Sequence, residues 1–216
     1  MSNADSLSWF RGRVVPWVTP WSGAPALREP VVIAPNGRRG IGYADEGVHD
    51  RTYDGVLLAR GRGRRPGQGD GRPLYEQLDP RRQRRATDQL LCQVCGRRPP
   101  RSPHGNLWLM ATAGELEGSL TTTPPVCPEP CAVLAVEQCP ALARGYVAAW
   151  VRYPRPWGYQ GVLHAPDPAD PRTVRRNGES VHLPYGDPRL PWLLADLTVT
   201  RLTGCAAVDP ATGGAR

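Results

Sequence analysis

The sequence has no lysine, one phenylalanine and two isoleucines, so all 27 of its basic residues are arginines. This bias is expected of a gene with very high GC content, which accounts for part of the arginine excess without any binding function. The formal net charge of +7 still indicates attraction to nucleic acid, anionic lipid or an acidic protein surface. Arginine also keeps a five-donor fork that suits phosphate and carboxylate.

Long apolar runs are also missing. The N-terminus shows no basic segment followed by an apolar run and a cleavage site, so we predict no secretory signal. No stretch approaches the ~18 apolar residues that a transmembrane helix needs. We therefore expect a cytoplasmic protein with no membrane partner, in which the six cysteines are metal ligands or buried thiols instead of disulfides.

Abundant glycine and proline indicate the fold class. The chain has 24 Gly and 25 Pro, which favours short elements joined by many turns. We predict an α+β fold in which small β-sheet elements and short helices surround a treble-clef-like zinc finger. The predicted parts are an N-terminal arm with strands and a loop (1–73), a basic helix with the zinc-binding unit (74–145), C-terminal strands and a helix packed on the same domain (146–208), and a frayed tail (209–216).

Hydrophobic patterning and turn residues indicate the individual elements. Asp79 and Pro80 are typical of a helix N-cap and first turn, and this helix is predicted to run to about Leu91. Leucines at 190, 193, 194 and 197 fall at helical spacing, which predicts a last helix over residues 188–202. Short strands are predicted at 31–34, 40–44, 55–60, 146–153 and 159–164, with a hairpin formed by 107–111 and 119–123.

Two arginine-rich segments are candidates for nucleic-acid binding. One is the helix over 80–91, on which four arginines gather on one side of a helical wheel, and the other is a Gly-rich loop over 61–73 that we expect to be mobile. The candidate phosphate-binding residues are Arg64, Arg65, Arg81, Arg82, Arg84 and Arg85. Such contacts would give salt-sensitive binding of low sequence specificity. The alternative is an ordinary solvated helix face in an arginine-biased protein.

Four cysteines in two pairs are the strongest chemical signal. The first pair, Cys92-Gln-Val-Cys95-Gly, has the form of a zinc knuckle, in which two thiolates on one tight turn reach a single tetrahedral ion. The second pair, Cys127-Pro-Glu-Pro-Cys131, opens an apolar helical stretch over 132–143, where the positive end of the helix dipole favours thiolate. Knuckle, hairpin and helix in this order resemble a treble-clef zinc finger. We therefore predict one structural zinc ion held by these four residues, with Cys139 as the reserve ligand because the second pair has three intervening residues instead of two.

Several motifs of the chain occur together in other proteins. The Cys-Gln-Val-Cys-Gly turn, the Leu-Trp-Leu run at 107–109 and the later cysteines with Cys139-Pro resemble a set of uncharacterised proteins from actinobacteria and their phages. The resemblance extends to the motifs at 40–46 and 184–192. In those proteins the second pair has two intervening residues, which implies a local insertion here. The resemblance implies a shared fold and brings no established activity.

Catalytic interpretations have less support from the sequence. His104 and Asn106 lie between the cysteine pairs, as metal ligands do in treble-clef nucleases, but no second histidine lies nearby and a surface turn is the simpler interpretation. The Gly-rich loop lacks the Gly-Lys-Ser/Thr ending of a phosphate loop. Cys139 and Cys205 stand alone and favour core packing. An acidic cluster fits no calcium-loop spacing and is interpreted as a solvated turn; its members are Asp45, Glu46, His49, Asp50 and Asp54.

These patterns together predict a zinc-stabilised, DNA-associated accessory protein without catalysis of its own. The first 30 residues carry Trp9, Phe10, Trp17 and Trp21 and are predicted to form an extended arm. The alternative is a protein-binding adaptor that modulates a phage or mobile-element recombinase or a transcription complex through this aromatic arm or its arginine-rich helix. A treble-clef metal-dependent nuclease is the third possibility. The expected partner is DNA or a DNA-processing protein, and no residue is assigned a catalytic role.

Overall fold

The computed structural model describes residues 7–24, 30–35, 37–61, 71–112 and 114–208. Arg64, Arg65 and the predicted tail over 209–216 lie outside this part of the chain. The strands and helices in chain order are β1 (Ser8–Phe10), β2 (Arg13–Val15), β3 (Val31–Ile33), β4 (Ile41–Tyr43), β5 (Leu57–Leu58), α1 (Pro80–Asp88), β6 (Asn106–Met110), β7 (Leu120–Thr121), α2 (Val133–Gln138), β8 (Val147–Val151), β9 (Arg155–Pro166), β10 (Val174–Pro184), β11 (Leu193–Arg201) and β12 (Cys205–Ala207).

Four sheets carry most of this structure, which confirms the α+β class and shows that the chain is mostly β. The largest sheet has the strand order β10-β9-β11-β5, and β7 pairs with the far end of β11. Its pairs are antiparallel except for β11 with β5. A three-stranded antiparallel sheet has the order β12-β8-β6, and β1–β2 and β3–β4 form two small hairpins. The strands predicted near 31–34, 40–44, 55–60, 146–153 and 159–164 are confirmed.

Helix α1 begins where the sequence predicted. Its first turn is capped by Asp79, whose carboxylate accepts a hydrogen bond from the Arg82 N–H at 3.0 Å. The helix ends at Asp88, three residues before the predicted end, because Leu90 adopts a left-handed backbone with φ of 52° and closes the last turn. The buried side chain of Gln83 then ties the helix to β11, since its amide nitrogen donates to the Thr198 carbonyl at 3.0 Å and its amide oxygen accepts from the Thr198 N–H at 3.1 Å.

The predicted last helix over 188–202 is wrong. Only a short 3₁₀ turn, Leu190–Trp192, precedes strand β11. Leucine spacing over four residues fits a helix face, but Leu193, Ala195 and Leu197 also alternate as a strand does, and all three are buried. The β-branched run Thr198-Val199-Thr200 favours the extended backbone, and β11 gains partners on both edges by lying between β9 and β5.

The predicted hairpin of 107–111 with 119–123 is also wrong. Strand β6 pairs along its whole length with β8, whereas β7 pairs with β11. Nearness in sequence favoured the hairpin, but β8 offers β6 a five-residue apolar partner, and the pair buries Leu107, Trp108 and Leu109 on one strand. The segment between the cysteine pairs therefore departs from the treble-clef pattern, although the knuckle and the helical second pair are both present.

Apolar side chains gather into several cores, and the largest surrounds the cysteines. Val94, Leu107, Val126 and Ala132 are among its buried members. A second core lies against the large sheet around Tyr159 and Leu193. Among the described residues no helix is both long enough and apolar enough to cross a membrane.

Candidate metal centre

The first two cysteines lie in a tight turn that follows α1. The Gly96 N–H donates to the Cys92 carbonyl at 2.8 Å, and the Cys92 N–H donates to the Arg97 carbonyl at 2.7 Å. The Val94 N–H points at the Cys92 sulfur at 3.4 Å. Gly96 has a φ of +71°, a left-handed backbone that favours glycine. These contacts fold the Cys-x-x-Cys segment so that both sulfurs lie on one side of the turn.

The second pair lies at the start of a helical segment, as predicted. Cys127 occupies the N-cap position with extended angles, and a wide π-type turn over Pro128–Ala132 leads into α2. The Ala132 N–H donates to the Cys127 carbonyl at 3.0 Å, which closes this wide turn around Cys131. Glu129 keeps extended angles inside it, so the extra residue of this pair is accommodated before regular helix begins.

The four cysteine sulfurs converge on one point. The Sγ atoms of Cys92, Cys95, Cys127 and Cys131 all lie within 4.8 Å of one another, and the Cys95 and Cys127 sulfurs are 3.8 Å apart. A tetrahedron with Zn–S bonds of about 2.3 Å has S···S edges of about 3.8 Å. Across the described ranges this is the one group of three or more His, Cys, Asp or Glu side chains close enough to share an ion. The cluster can therefore hold a tetrahedral metal ion.

Burial makes the cluster a closed site. The four cysteines are between 0% and 7% exposed. Cys139 ends α2 and packs against the same core but lies outside the cluster. Cys127 and Cys131 both belong to the cluster, so Cys139 replaces neither of them. Four protein sulfurs fill all positions of a tetrahedral ion and leave none for water or substrate, which is the arrangement of structural sites.

The protonation of the four thiols depends on their being so close together. Hydrogen bonds from Cys127 and Cys131 lower the pKa of both Cys92 and Cys95, because a sulfur that receives S–H donors ionises easily. The pKa of Cys131 is raised by its contacts with Cys127, Cys92 and Cys95. At Cys127 the contact with Cys131 acts to lower the pKa, but those with Cys92 and Cys95 raise it overall. Four buried thiolates thus repel one another unless a cation lies between them, which is the chemistry of a metal-binding donor set.

The structure separates the four arginines of α1. Arg82 is only 9% exposed, and its guanidinium donates to the carbonyls of Trp17 at 2.8 Å and Thr19 at 3.1 Å. Arg84 donates to the carbonyls of Asp196 and Ala59, each at 2.9 Å. The four arginines that were predicted to gather on one side of the helix therefore do not all face solvent, because a helical wheel does not show which neighbours lie beyond each side chain.

Two of the four remain on the surface. Arg81 and Arg85 are exposed. Nucleic-acid binding by α1 stays a prediction, and it depends mainly on these two side chains.

Three members of the acidic cluster form ion pairs with two arginines that were not among the predicted site residues. Arg51 contacts Glu46 at 2.6 Å, and its hydrogen bonds hold the pKa of Glu46 below the usual value. Arg60 contacts Asp50 at 2.6 Å and Asp45 at 3.0 Å, and it lowers the pKa of Asp50 in the same way. The signal was present in the sequence, since both arginines stand within fifteen residues of the acids that they neutralise.

The other candidate residues do not form sites with one another. His104 is exposed, and its ring lies 6.1 Å from that of Trp150. Cys205 is half-buried, and its N–H donates to the Glu117 carboxylate at 2.8 Å. Neither residue belongs to the metal-binding cluster.

A scan against protein-family models, a search of curated proteins and a search of solved structures each found no match to this chain. The cysteine cluster is thus the feature of the molecule from which a function is inferred.

Proposed function

We propose that this chain is a zinc-stabilised, DNA-associated accessory protein with no catalysis at its metal. The observation that carries the proposal is the convergence of four buried cysteine sulfurs within 4.8 Å. Thiolate is a soft ligand, and a tetrahedral set of four thiolates suits zinc or an iron–sulfur centre. The Cys-x-x-Cys spacing and the closed, buried site favour structural zinc. A cytoplasmic location belongs to the same proposal, because a reducing compartment keeps the thiols free to bind metal.

The zinc test uses two cysteine variants of the full chain. The purified protein should contain about one zinc per chain by elemental analysis, since one tetrahedral ion takes all four sulfurs. Cys131→Ser should abolish this stoichiometry and lower the thermal midpoint. Cys139→Ser is the matched control, because it alters a thiol that packs against the same core but lies outside the cluster. A wild-type chain that folds stably without metal, or equal zinc content in both variants, would contradict the proposal.

DNA association is supported by the positive charge of the chain and not by a shaped binding pocket. The chain carries a net charge of +7, and Arg81 and Arg85 extend from one exposed side of α1. Side chains of this kind bind phosphates without reading base sequence.

The DNA test compares two variants that each remove two positive charges. Arg81→Ala/Arg85→Ala should weaken binding to a labelled duplex at about 100 mM salt and reduce the slope of log K against log salt by about 2. Arg172→Ala/Arg175→Ala, on exposed residues near the β9–β10 turn, should leave most of the binding intact. If both variants lose affinity equally, or if the wild type does not bind, α1 is not a phosphate-binding element.

An adaptor role is the second candidate, and one loop favours it. Residues 44–55 are held by the Arg51 and Arg60 ion pairs, yet Val48 is 89% exposed and Tyr53 is fully exposed. Apolar side chains on a rigid loop are typical of protein contact points. Tyr53→Ala should remove a specific partner recovered by the wild type from host extract, whereas Tyr75→Ala, at a partly exposed tyrosine elsewhere, should not.

A further inference from the structure

Two chain connections run side by side where the large sheet meets the three-stranded sheet. Residues 152–154 join β8 to β9, and residues 202–204 join β11 to β12. The Tyr153 N–H donates to the Thr203 carbonyl at 3.0 Å, and the Thr203 hydroxyl donates to the Tyr153 carbonyl at 2.7 Å. The Arg152 N–H donates to the Gly204 carbonyl at 3.2 Å. These bonds hold the backbone of the corner in one conformation.

The Tyr153 ring is held at this corner and still faces solvent. It lies beside Gly204, where an added Cβ would come 3.1 Å from the Tyr153 Cδ2 atom, so the absence of a side chain at 204 makes room for the ring. The residue is nevertheless 50% exposed. The guanidinium carbons of Arg152 and Arg155 lie 5.9 Å and 6.0 Å from the ring centroid. Two cations therefore lie near an aromatic ring, and half of the surface of the tyrosine remains exposed.

A third arginine, Arg201, lies opposite Arg155 on the neighbouring strand. Arg155 of β9 pairs directly with Arg201 of β11, so both side chains lie on the same face. Like charges directly opposite each other on a sheet are unfavourable unless an anion lies between them. Among the described residues none of Arg152, Arg155 and Arg201 is paired with a carboxylate. The nearby Glu117 carboxylate is engaged by the N–H groups of Gly204 and Cys205.

We propose that these four residues, Arg152, Tyr153, Arg155 and Arg201, form a corner surface that binds single-stranded nucleic acid. The exposed tyrosine ring stacks on an unpaired base, and the arginines bind the phosphates on either side of it. Aromatic rings interleaved with cations recognise single strands in this way because every base has a flat face. The inference rests on the proposed association with DNA. It specifies which surface contacts the nucleic acid and that the nucleic acid is single-stranded.

Single-stranded substrate follows from the aromatic ring. In a duplex the flat faces of the bases are stacked on one another, so a lone surface ring reaches only unpaired bases. Arginines alone would bind duplex and single strand through phosphate without distinguishing them. A contribution of the Tyr153 ring to binding therefore distinguishes the corner surface from a general basic patch.

The experiment measures binding of the full chain to a labelled 20-nucleotide single strand of mixed sequence, and to the matching duplex, by fluorescence anisotropy across a salt series. Tyr153→Ala should weaken single-strand binding by about tenfold, and Tyr153→Phe should retain it, since stacking needs the ring and not the hydroxyl. Replacing the three arginines by alanine should reduce the salt slope for the single strand by about 2, as expected for three lost phosphate contacts. The charge-matched control, Arg172→Ala/Arg175→Ala/Arg176→Ala, removes three exposed arginines from the β9–β10 hairpin. All variants are first compared with the wild type for metal content and thermal midpoint.

The outcomes distinguish the two proposals. Selective loss of single-strand binding in Tyr153→Ala, together with a salt slope that falls in the triple corner variant and not in the hairpin control, supports the corner surface. If DNA binds but these variants bind as the wild type does, or no more weakly than the hairpin control, the corner surface is wrong and the DNA association stands. If Tyr153→Phe loses as much as Tyr153→Ala, the stacking role is wrong. If neither strand form binds the wild type, both proposals are overturned.

Discussion

Trp17 lies against Gly96 so closely that a methyl group on Gly96 would come 2.7 Å from the indole ring. The backbone of the arm supports this contact, since the Trp17 N–H donates to the Val94 carbonyl at 2.9 Å and the Val18 N–H donates to the Gln93 carbonyl at 3.2 Å. The N-terminal arm is thus attached to the turn that carries Cys92 and Cys95. The arm therefore contacts the same turn that places two of the four clustered sulfurs.

Gly96→Ala should destabilise the protein for two separable reasons. The left-handed backbone costs alanine about 1–2 kcal/mol, and overlap with the indole ring adds about 1–3 kcal/mol. Gly118→Ala is the matched control, because Gly118 has a φ of +74° and an added Cβ there would meet no atom within 4 Å. Urea unfolding of the metal-loaded proteins should therefore show a larger loss for Gly96→Ala. Equal losses would mean that Trp17 moves aside without cost.

Arg82→Ala should cost far more stability than Arg85→Ala, although the two residues are three apart on one helix. The Arg82 guanidinium supplies charged hydrogen bonds to the carbonyls of Trp17 and Thr19, and its loss should reduce the free energy of unfolding by about 2–4 kcal/mol. Arg85 is exposed, so its replacement should change stability by no more than about 0.5 kcal/mol. Chemical denaturation provides the measurement. Similar small effects at both positions would show that Arg82 is not a structural link to the arm.

The stability of the protein should fall on acidification, in part through Glu46. Hydrogen bonds from Arg51 hold the pKa of Glu46 below its usual 4.5, so the folded chain binds fewer protons near pH 4 than the unfolded chain. Its contribution is present above about pH 4.5 and is lost as the pH falls through the lowered folded value. Urea midpoints between pH 5 and 3 should therefore decline less steeply for Glu46→Gln.

Asp196→Asn provides a control of opposite sign. Burial raises the pKa of Asp196, so the contribution of this carboxyl is present at low pH and is lost as the pH rises through the folded value. Its replacement should make the stability of the protein rise more steeply with pH in the acidic range. If the urea midpoints of the two variants change with pH in the same way, then Glu46 and Asp196 do not make the opposite contributions assigned to them here.

Local chemistry determined what the sequence could predict. The Cys-x-x-Cys-Gly turn, the Asp79 cap with Pro80, and the second cysteine pair before a helical stretch are each encoded within about five residues, because turn geometry and capping need no distant partner. These features were predicted with their positions. Strands β3, β4, β5, β8 and β9 were predicted near their places as well. The one pairing that was predicted, 107–111 with 119–123, was wrong, since pairing joins segments far apart in the chain.

The tertiary structure alone decided what lies next to each element. The leucines near 193 satisfy a helix and a strand equally over so short a window, and burial between β9 and β5 selects the strand. The sequence does not distinguish the four arginines of α1 from one another. In the fold, the arm and β11 accept hydrogen bonds from Arg82 and Arg84, whereas Arg81 and Arg85 are exposed to solvent. The sequence by itself thus determined which cysteines can share an ion. Folding decided that their sulfurs meet, and which cations remain on the surface, because both depend on contacts between residues that are remote in the chain.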